Sequence, residues 1–158
     1  DDDVIFYDDR AVVLAQAGAA TGNGLCDIQI IIDFIRSVHG FLLLKYLYEP
    51  NVSILKLGRF DALIEKYDFE KLHRNSHLFT SENLIENFEG RSFEVIEQRN
   101  ASPKALKDIK KANITVRNFP QTVSEIRNKT KIKEGGELYL FFTTIGEEER
   151  TCIVCKKI

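Results

Sequence analysis

The chain has 158 residues, of which 44% are hydrophobic and 29% charged, so its composition is that of a globular protein and not of a disordered segment. The formal net charge of −2 lacks the basic excess of most nucleic-acid-binding domains, so any RNA affinity must come from a local patch. The sequence contains no apolar run near the roughly 20 residues of a membrane span and no signal-peptide pattern. We therefore expect a cytoplasmic protein without a membrane partner.

The chain contains no methionine and begins Asp1-Asp2-Asp3. Because an intact gene product begins with methionine, we expect this chain to be a piece of a longer protein. Its three cysteines are odd in number and come without a secretion signal, which fits a reducing compartment.

Residues 1–45 are the least regular part of the sequence, and we treat them as a separate N-terminal segment. They predict a short strand at 4–7, a loop at 21–24 and a helix at 27–44. The glycines of the loop match no phosphate-binding spacing, so the pattern indicates a turn and no cofactor site.

From residue 46 onward the signals are sharper. Residues 46–51 are expected to be extended because the residue before a proline is pushed out of the helical region. Apolar residues at helical spacing follow over 54–67, and a short strand precedes a helix that Thr80 or Ser81 caps and Gly90 ends.

The region after residue 90 predicts an α/β (α+β) fold with a mixed sheet and helices packed against it. Alternating strands and helices give parallel neighbours, and two strands joined by a short turn give an antiparallel hairpin. The predicted β-α-β-α-β-β order is strand 92–98, helix 104–111 opened by Pro103, strand 112–118, helix 122–128 with a Thr122–Glu125 capping box, and strands 138–144 and 151–156.

Two pairs of residues invite a metal-binding interpretation, and we favour a structural one for both. Cys152 and Cys155 have Cys-x-x-Cys spacing, but three residues apart on a strand they point to opposite faces and cannot converge on a metal. His73 and His77 lack further ligands nearby, so we expect surface or hydrogen-bonding roles. We also find no catalytic constellation in the chain.

The densest basic cluster lies on the predicted helix 104–111 and the following strand. Lys104, Lys107 and Lys111 fall at i, i+3 and i+7, which would place three positive charges on one helix face. Such a face attracts phosphate groups. A solvated helix surface is the alternative, and nearby carboxylates such as Asp108 dilute the charge.

Several blocks of the sequence resemble the THUMP-like C-terminal domain of bacterial (Bacteroidota-type) class I S-adenosylmethionine-dependent methyltransferases. They follow one another in the family's order and cover residues 46–158: Tyr48-Glu49-Pro50-Asn51 with 53–56 and Gly58, 71–73, 76–81, 90–94, 111–114, 117–120, 135–136 with 139–141, and 153–158. The resemblance implies a THUMP-like domain at 46–158, with 1–45 a possible remnant of the ferredoxin-like domain that precedes it in the family.

The resemblance further implies an accessory domain that holds ribosomal or transfer RNA near a methyltransferase domain. The S-adenosylmethionine site would lie in the parent protein, so we expect no cofactor, metal or catalytic residue in this chain. The residues expected to contact RNA are Lys56, Arg59, Lys110, Lys111, Arg117 and Asn118, with the basic side chains on phosphates and Asn118 on a base edge or 2′-hydroxyl.

A second interpretation is a scaffold that docks on its own methyltransferase domain and binds no RNA. Its interface would then include Tyr46, Tyr48 and Phe119, which the sequence suggests are exposed. A separate enzyme activity of the chain has little support.

Overall fold

The computed structural model describes residues 43–58 and 60–158. Residues 43–158 form one compact unit. The strand, loop and helix expected before residue 43 lie outside the described residues, as do Cys26 and Arg59.

The centre of the unit is a seven-stranded mixed sheet with the order β2-β3-β1-β4-β7-β6-β5. Neighbouring strands are antiparallel except β5 and β6, which are parallel. The strands are β1 (Tyr46–Pro50), β2 (Glu70–Lys71), β3 (Phe79–Ser81), β4 (Gly90–Asn100), β5 (Asn113–Arg117), β6 (Leu138–Ile145) and β7 (Glu149–Lys157). The predicted mixed α/β fold and the C-terminal hairpin are confirmed.

Three helices accompany the sheet in the described residues: α1 (Val52–Leu57), α2 (Phe60–Lys66) and α3 (Val123–Thr130). The Asn51 side chain caps α1, and Gly58 ends it in the left-handed conformation that glycine adopts without strain. The helical pattern expected over 54–67 is therefore divided between two helices. The predicted capping box of α3 is confirmed, since Thr122 and Glu125 each bond the other's backbone amide.

Two hydrophobic clusters hold these elements on the sheet. Aromatic side chains of β1 and β3 pack with those around α2, and the ring centroids of Phe69 and Phe79 lie 4.4 Å apart. On β6 and β7, α3 and the segment 101–112 bury a second cluster, which includes Leu106 and Ile126. Burial of apolar side chains such as these is the main stabilising contribution to the fold.

The helix predicted between Thr80 and Gly90 is wrong. Both hydroxyls that could have capped it are engaged within the sheet: Thr80 Oγ1 donates to the Tyr46 carbonyl at 2.8 Å, and Ser81 Oγ lies 2.9 Å from the Tyr48 hydroxyl. That hydroxyl also accepts from the backbone amide of Ile85 at 2.9 Å. The segment after β3 consequently runs as turns to β4.

The helix predicted at 104–111 is also wrong, and a series of turns replaces it. Its backbone bonds connect residues three apart, as from the Ile109 amide to the Leu106 carbonyl at 3.0 Å. At the end of the segment, the Lys110 carbonyl accepts from Lys133 and the Ala112 amide donates to Lys133. Because these backbone groups pair as in a strand, they are not available for the hydrogen bonds of a helix. Lys104, Lys107 and Lys111 therefore do not line one helix face.

Candidate nucleic-acid interface

Two lysine-rich segments that are distant in sequence lie side by side. The Lys133 amide donates to the Lys110 carbonyl at 3.0 Å, and the Ala112 amide donates to the Lys133 carbonyl at 2.9 Å. Lys111 and Lys133 form a parallel bridge. The turn segment before β5 is thereby joined to the residues that follow α3.

The lysine patch comprises the exposed lysines within residues 107–111 and 129–134 of these two segments: Lys107, Lys110, Lys111, Lys129, Lys131 and Lys133. The segments carry two carboxylates, Asp108 and Glu134. The first of these is held 2.6 Å from Arg99 Nη1, and this hydrogen bond lowers the pKa of Asp108. Because an arginine already neutralises Asp108, Glu134 is the carboxylate left to offset the six lysines.

The loop before β6 fixes the position of Lys111. A Cβ on Gly135 would stand 3.0 Å from Lys111 Cε, so the lysine stem lies directly across this glycine. The loop itself is held to the start of β5 by Asn113, whose Nδ2 donates to the Gly136 carbonyl at 2.9 Å. The stem is packed while the residue stays exposed, as is usual for a lysine at a surface.

The charge of the chain is unevenly divided along the sequence. Residues 90–157 contain 14 lysines and arginines and 9 aspartates and glutamates, a net charge of +5. Residues 46–88 contain 5 basic and 7 acidic residues, a net charge of −2. The small net charge of the whole chain therefore conceals a basic C-terminal half, which carries the lysine patch.

The structure separates the residues expected to contact RNA. Lys110 and Lys111 lie in the lysine patch, whereas Arg117 and Asn118 lie at the other end of β5, about 20 Å away at roughly 3.3 Å per residue. Lys56 is exposed in the last turn of α1. Arg59 lies outside the described residues.

Arg117 and Asn118 have partners at their end of β5. The sequence suggests Glu94 or Glu125 as a partner for Arg117, but its Nη2 lies 2.5 Å from Glu49 Oε1. Asn118 Nδ2 lies 3.0 Å from His73 Nδ1, which confirms a hydrogen-bonding role for this histidine.

Sequence reasoning missed three members of the lysine patch: Lys129, Lys131 and Lys133. Their only signal in the sequence is the alternation of lysines from the last turn of α3 onward, which is common on solvated surfaces. What places them beside Lys110 is backbone pairing between residues more than twenty positions apart. Periodicity does not reveal such pairing.

The two described cysteines are buried on opposite faces of β7, as their spacing predicts. Cys152 packs in the cluster beneath α3, and burial raises the pKa of its thiol to about 12. Across residues 43–58 and 60–158 no three His, Cys, Asp or Glu side chains are placed to hold a metal ion. The helices of this part are all too short or too polar to cross a membrane.

Comparisons with known proteins separate the unit into two parts. Residues 46–88 match a family described as a ferredoxin-like domain, and residues 90–157 match one described as THUMP domain-like. The expected boundaries differ: the THUMP-like match begins at 90 and not at 46, and the ferredoxin-like match lies within 46–88 and not in 1–45. No curated protein matches the chain.

One solved structure is similar to this chain over most of its length. It is the crystal structure of a "putative methyltransferase from Porphyromonas gingivalis W83", with 34% sequence identity and a TM-score of 0.70. The similarity covers 80% of this chain and 33% of that protein, so the chain spans about a third of its relative. Together with the family matches, this confirms the resemblance: residues 90–157 match the THUMP-like family, and residues 46–88, which precede them, match the ferredoxin-like family.

Proposed function

We propose that residues 46–158 form an accessory module that positions RNA for a methyltransferase. The similarity covers only 33% of the protein described as a "putative methyltransferase", which supports an accessory role. In this proposal the S-adenosylmethionine site and the methyl-transfer chemistry belong to the rest of the parent protein. This module contributes substrate binding.

The observation that carries the proposal is the lysine patch. Exposed ammonium groups bind phosphates with little regard to base sequence, and each phosphate they neutralise releases counterions into solution. Six such groups lie on two hydrogen-bonded segments within a domain of net charge +5. This local concentration supplies the positive charge for RNA binding that the whole chain, with its small net charge, lacks.

Salt-dependent RNA binding tests the proposal. We would measure the affinity of a structured RNA for the chain by fluorescence anisotropy at several salt concentrations. Lys110→Ala/Lys133→Ala removes two adjacent charges, so we expect weaker binding and a log–log slope that flattens by about 0.7 to 0.9 for each phosphate that is no longer neutralised. Neither side chain is buried, so the fold should be retained.

Lys66→Ala/Arg150→Ala is the matched control because it removes the same charge from exposed positions outside the lysine patch. Lys66 pairs with Glu89 at the surface, and such a pair contributes little stability. If both double variants weaken RNA binding equally, the affinity follows total charge and the lysine patch is not the interface.

A scaffold that docks on the methyltransferase domain is the second candidate. The interface residues expected from the sequence do not support it, since Tyr48 is fully buried and Tyr46 and Phe119 are half-buried against the hydrophobic clusters. Other apolar side chains, which are exposed, favour it. Of the five exposed large hydrophobic residues in the described part, four lie in the ferredoxin-like half: Val52, Leu57, Ile64 and Leu84.

The full-length gene product distinguishes the two candidates. We would compare methyl transfer to RNA by the intact protein, by a form lacking residues 46–158, and by Lys110→Ala/Lys133→Ala. RNA positioning predicts that the lysine variant raises KM. A scaffold predicts that only the deletion has an effect.

A further inference from the structure

A second cluster of charged residues lies at the opposite end of β5 from the lysine patch. Its centre is Glu49 of β1, whose side chain is 4% exposed. Oε2 accepts from Arg91 Nε at 2.7 Å and from Arg91 Nη2, and Oε1 accepts from Arg117 Nη2 at 2.5 Å. We call Glu49, Arg91 and Arg117, together with His77, on which the positive charge of Arg117 acts, the arginine cluster.

The curvature of the sheet brings these residues together. Three strands separate β1 from β5, which in a flat sheet would place them about 19 Å apart. The contact between Glu49 and Arg117 therefore requires the sheet to curl until its two halves meet. The two guanidinium groups are held by the scaffold in fixed positions and need little ordering before they bind a ligand.

The cluster has more N–H donors than the Glu49 carboxylate can accept from, and more positive charge than it can neutralise. Each guanidinium group has five N–H donors. Glu49 accepts three of the ten, and the Val116 carbonyl accepts one from Arg117. The two arginine side chains remain 42% and 36% exposed, so solvent or a ligand can reach them.

Two buried nitrogens of the cluster, Arg117 Nε and His77 Nδ1, have no hydrogen-bond partner in the described part of the chain. The His77 ring stacks on Phe60, with centroids 4.3 Å apart. Burial, and then the positive charges of Lys71 and Arg117, lower the pKa of His77. Unpaired buried polar atoms are rare in folded proteins and often indicate a bound ion or water.

We propose that Arg91, Arg117 and His77 form a binding site for a phosphate group. A phosphate oxygen would accept from free guanidinium N–H groups, as arginine forks do in phosphate recognition, and Glu49 would hold the two forks in place. The site does not depend on the lysine patch. The phosphate can come from RNA or from a small phosphorylated molecule, since the chemistry recognised is the same.

The test uses inorganic phosphate as the probe with the whole chain. We would titrate phosphate at constant ionic strength and follow the arginine side-chain and His77 ring resonances by NMR. We expect saturable shifts in both. Arg91→Lys keeps the charge but loses the fork, so binding should weaken about tenfold, which corresponds to one charge-assisted hydrogen bond of about 1.4 kcal/mol.

Two further variants keep the proposal testable if Arg91→Lys is unstable. His77→Asn suits the positive φ of 54° at this position and should also weaken phosphate binding. Lys104→Ala removes an exposed charge outside both the arginine cluster and the lysine patch and should leave phosphate binding unchanged. Shifts that do not saturate, or that saturate equally in wild type, Arg91→Lys and His77→Asn, would overturn the site.

The source of the phosphate is decided by competition. A short RNA with a 5′-phosphate, the same RNA with a 5′-hydroxyl, and adenosine monophosphate are each added to the phosphate-loaded protein. Displacement by both RNAs assigns the site to the RNA backbone, and displacement by the phosphorylated RNA alone assigns it to an RNA end. Displacement by the mononucleotide alone assigns it to a small molecule. These assignments hold even if the lysine patch proves not to bind RNA.

Discussion

Replacing Glu49 with glutamine should destabilise the chain, because this carboxylate joins three strands. Breaking a fully buried ion pair typically costs about 3 to 5 kcal/mol. The cost here should be smaller, since the side chains of Arg91 and Arg117 stay 42% and 36% exposed and can be rehydrated. Glutamine also keeps one acceptor oxygen, so we expect a loss of about 2 kcal/mol in the free energy of unfolding, within the range for charge-assisted hydrogen bonds.

Urea denaturation measures this loss, with a thermal midpoint lower by about 6 °C as a second observable. The denaturant slope should not change, because the surface exposed on unfolding is the same. The double variant Glu49→Gln/Arg117→Gln should cost less than the sum of the two single variants, because each removes the same interaction. A single-variant loss below about 0.5 kcal/mol, or strict additivity in the cycle, would refute the argument that Glu49 couples the strands.

Three further predictions concern local features. Thr122→Ala removes the capping box of α3 and should cost about 1 kcal/mol in denaturation experiments, whereas Ser124→Ala in the same turn should not. Gly90→Ala puts a Cβ 2.2 Å from a backbone carbonyl oxygen and should lower the free energy of unfolding by about 3 kcal/mol. Gly58→Ala meets open space but keeps a φ of 64°, so it should lower the free energy of unfolding by about 1 kcal/mol. Equal thermal midpoints of the two variants would contradict this. The pKa of His77 is lowered in the fold, so below about pH 6.5 the unfolded chain binds more protons than the folded chain. The contribution of His77 to stability should therefore be complete above that pH and decrease below it. Thermal midpoints of wild type and His77→Asn that run parallel from pH 8 to 5 would exclude this.

The sequence predicted best where local chemistry alone decides the structure. The alternation of apolar and polar residues placed β4, and the Thr122–Glu125 capping box placed the start of α3. Local signals failed where a side chain or carbonyl bonds to a distant strand, as Ser81 does with Tyr48 and Lys110 with Lys133. Half of the candidate site was therefore predictable: three of its six lysines lie in the dense basic cluster of the sequence, and the position of the other three depends on long-range pairing.

The pairing of β1 with β4 has a practical consequence for work on fragments of this protein. Tyr46 to Pro50 are hydrogen-bonded along the first five residues of β4, although the two strands belong to different matched families. A cut between residues 88 and 90 would leave both strands with unpaired backbone groups, and such exposed edges promote aggregation. Fragments should accordingly keep 43–158 together, and a chimera that exchanges one matched domain must supply a strand of suitable length and register to replace the one removed.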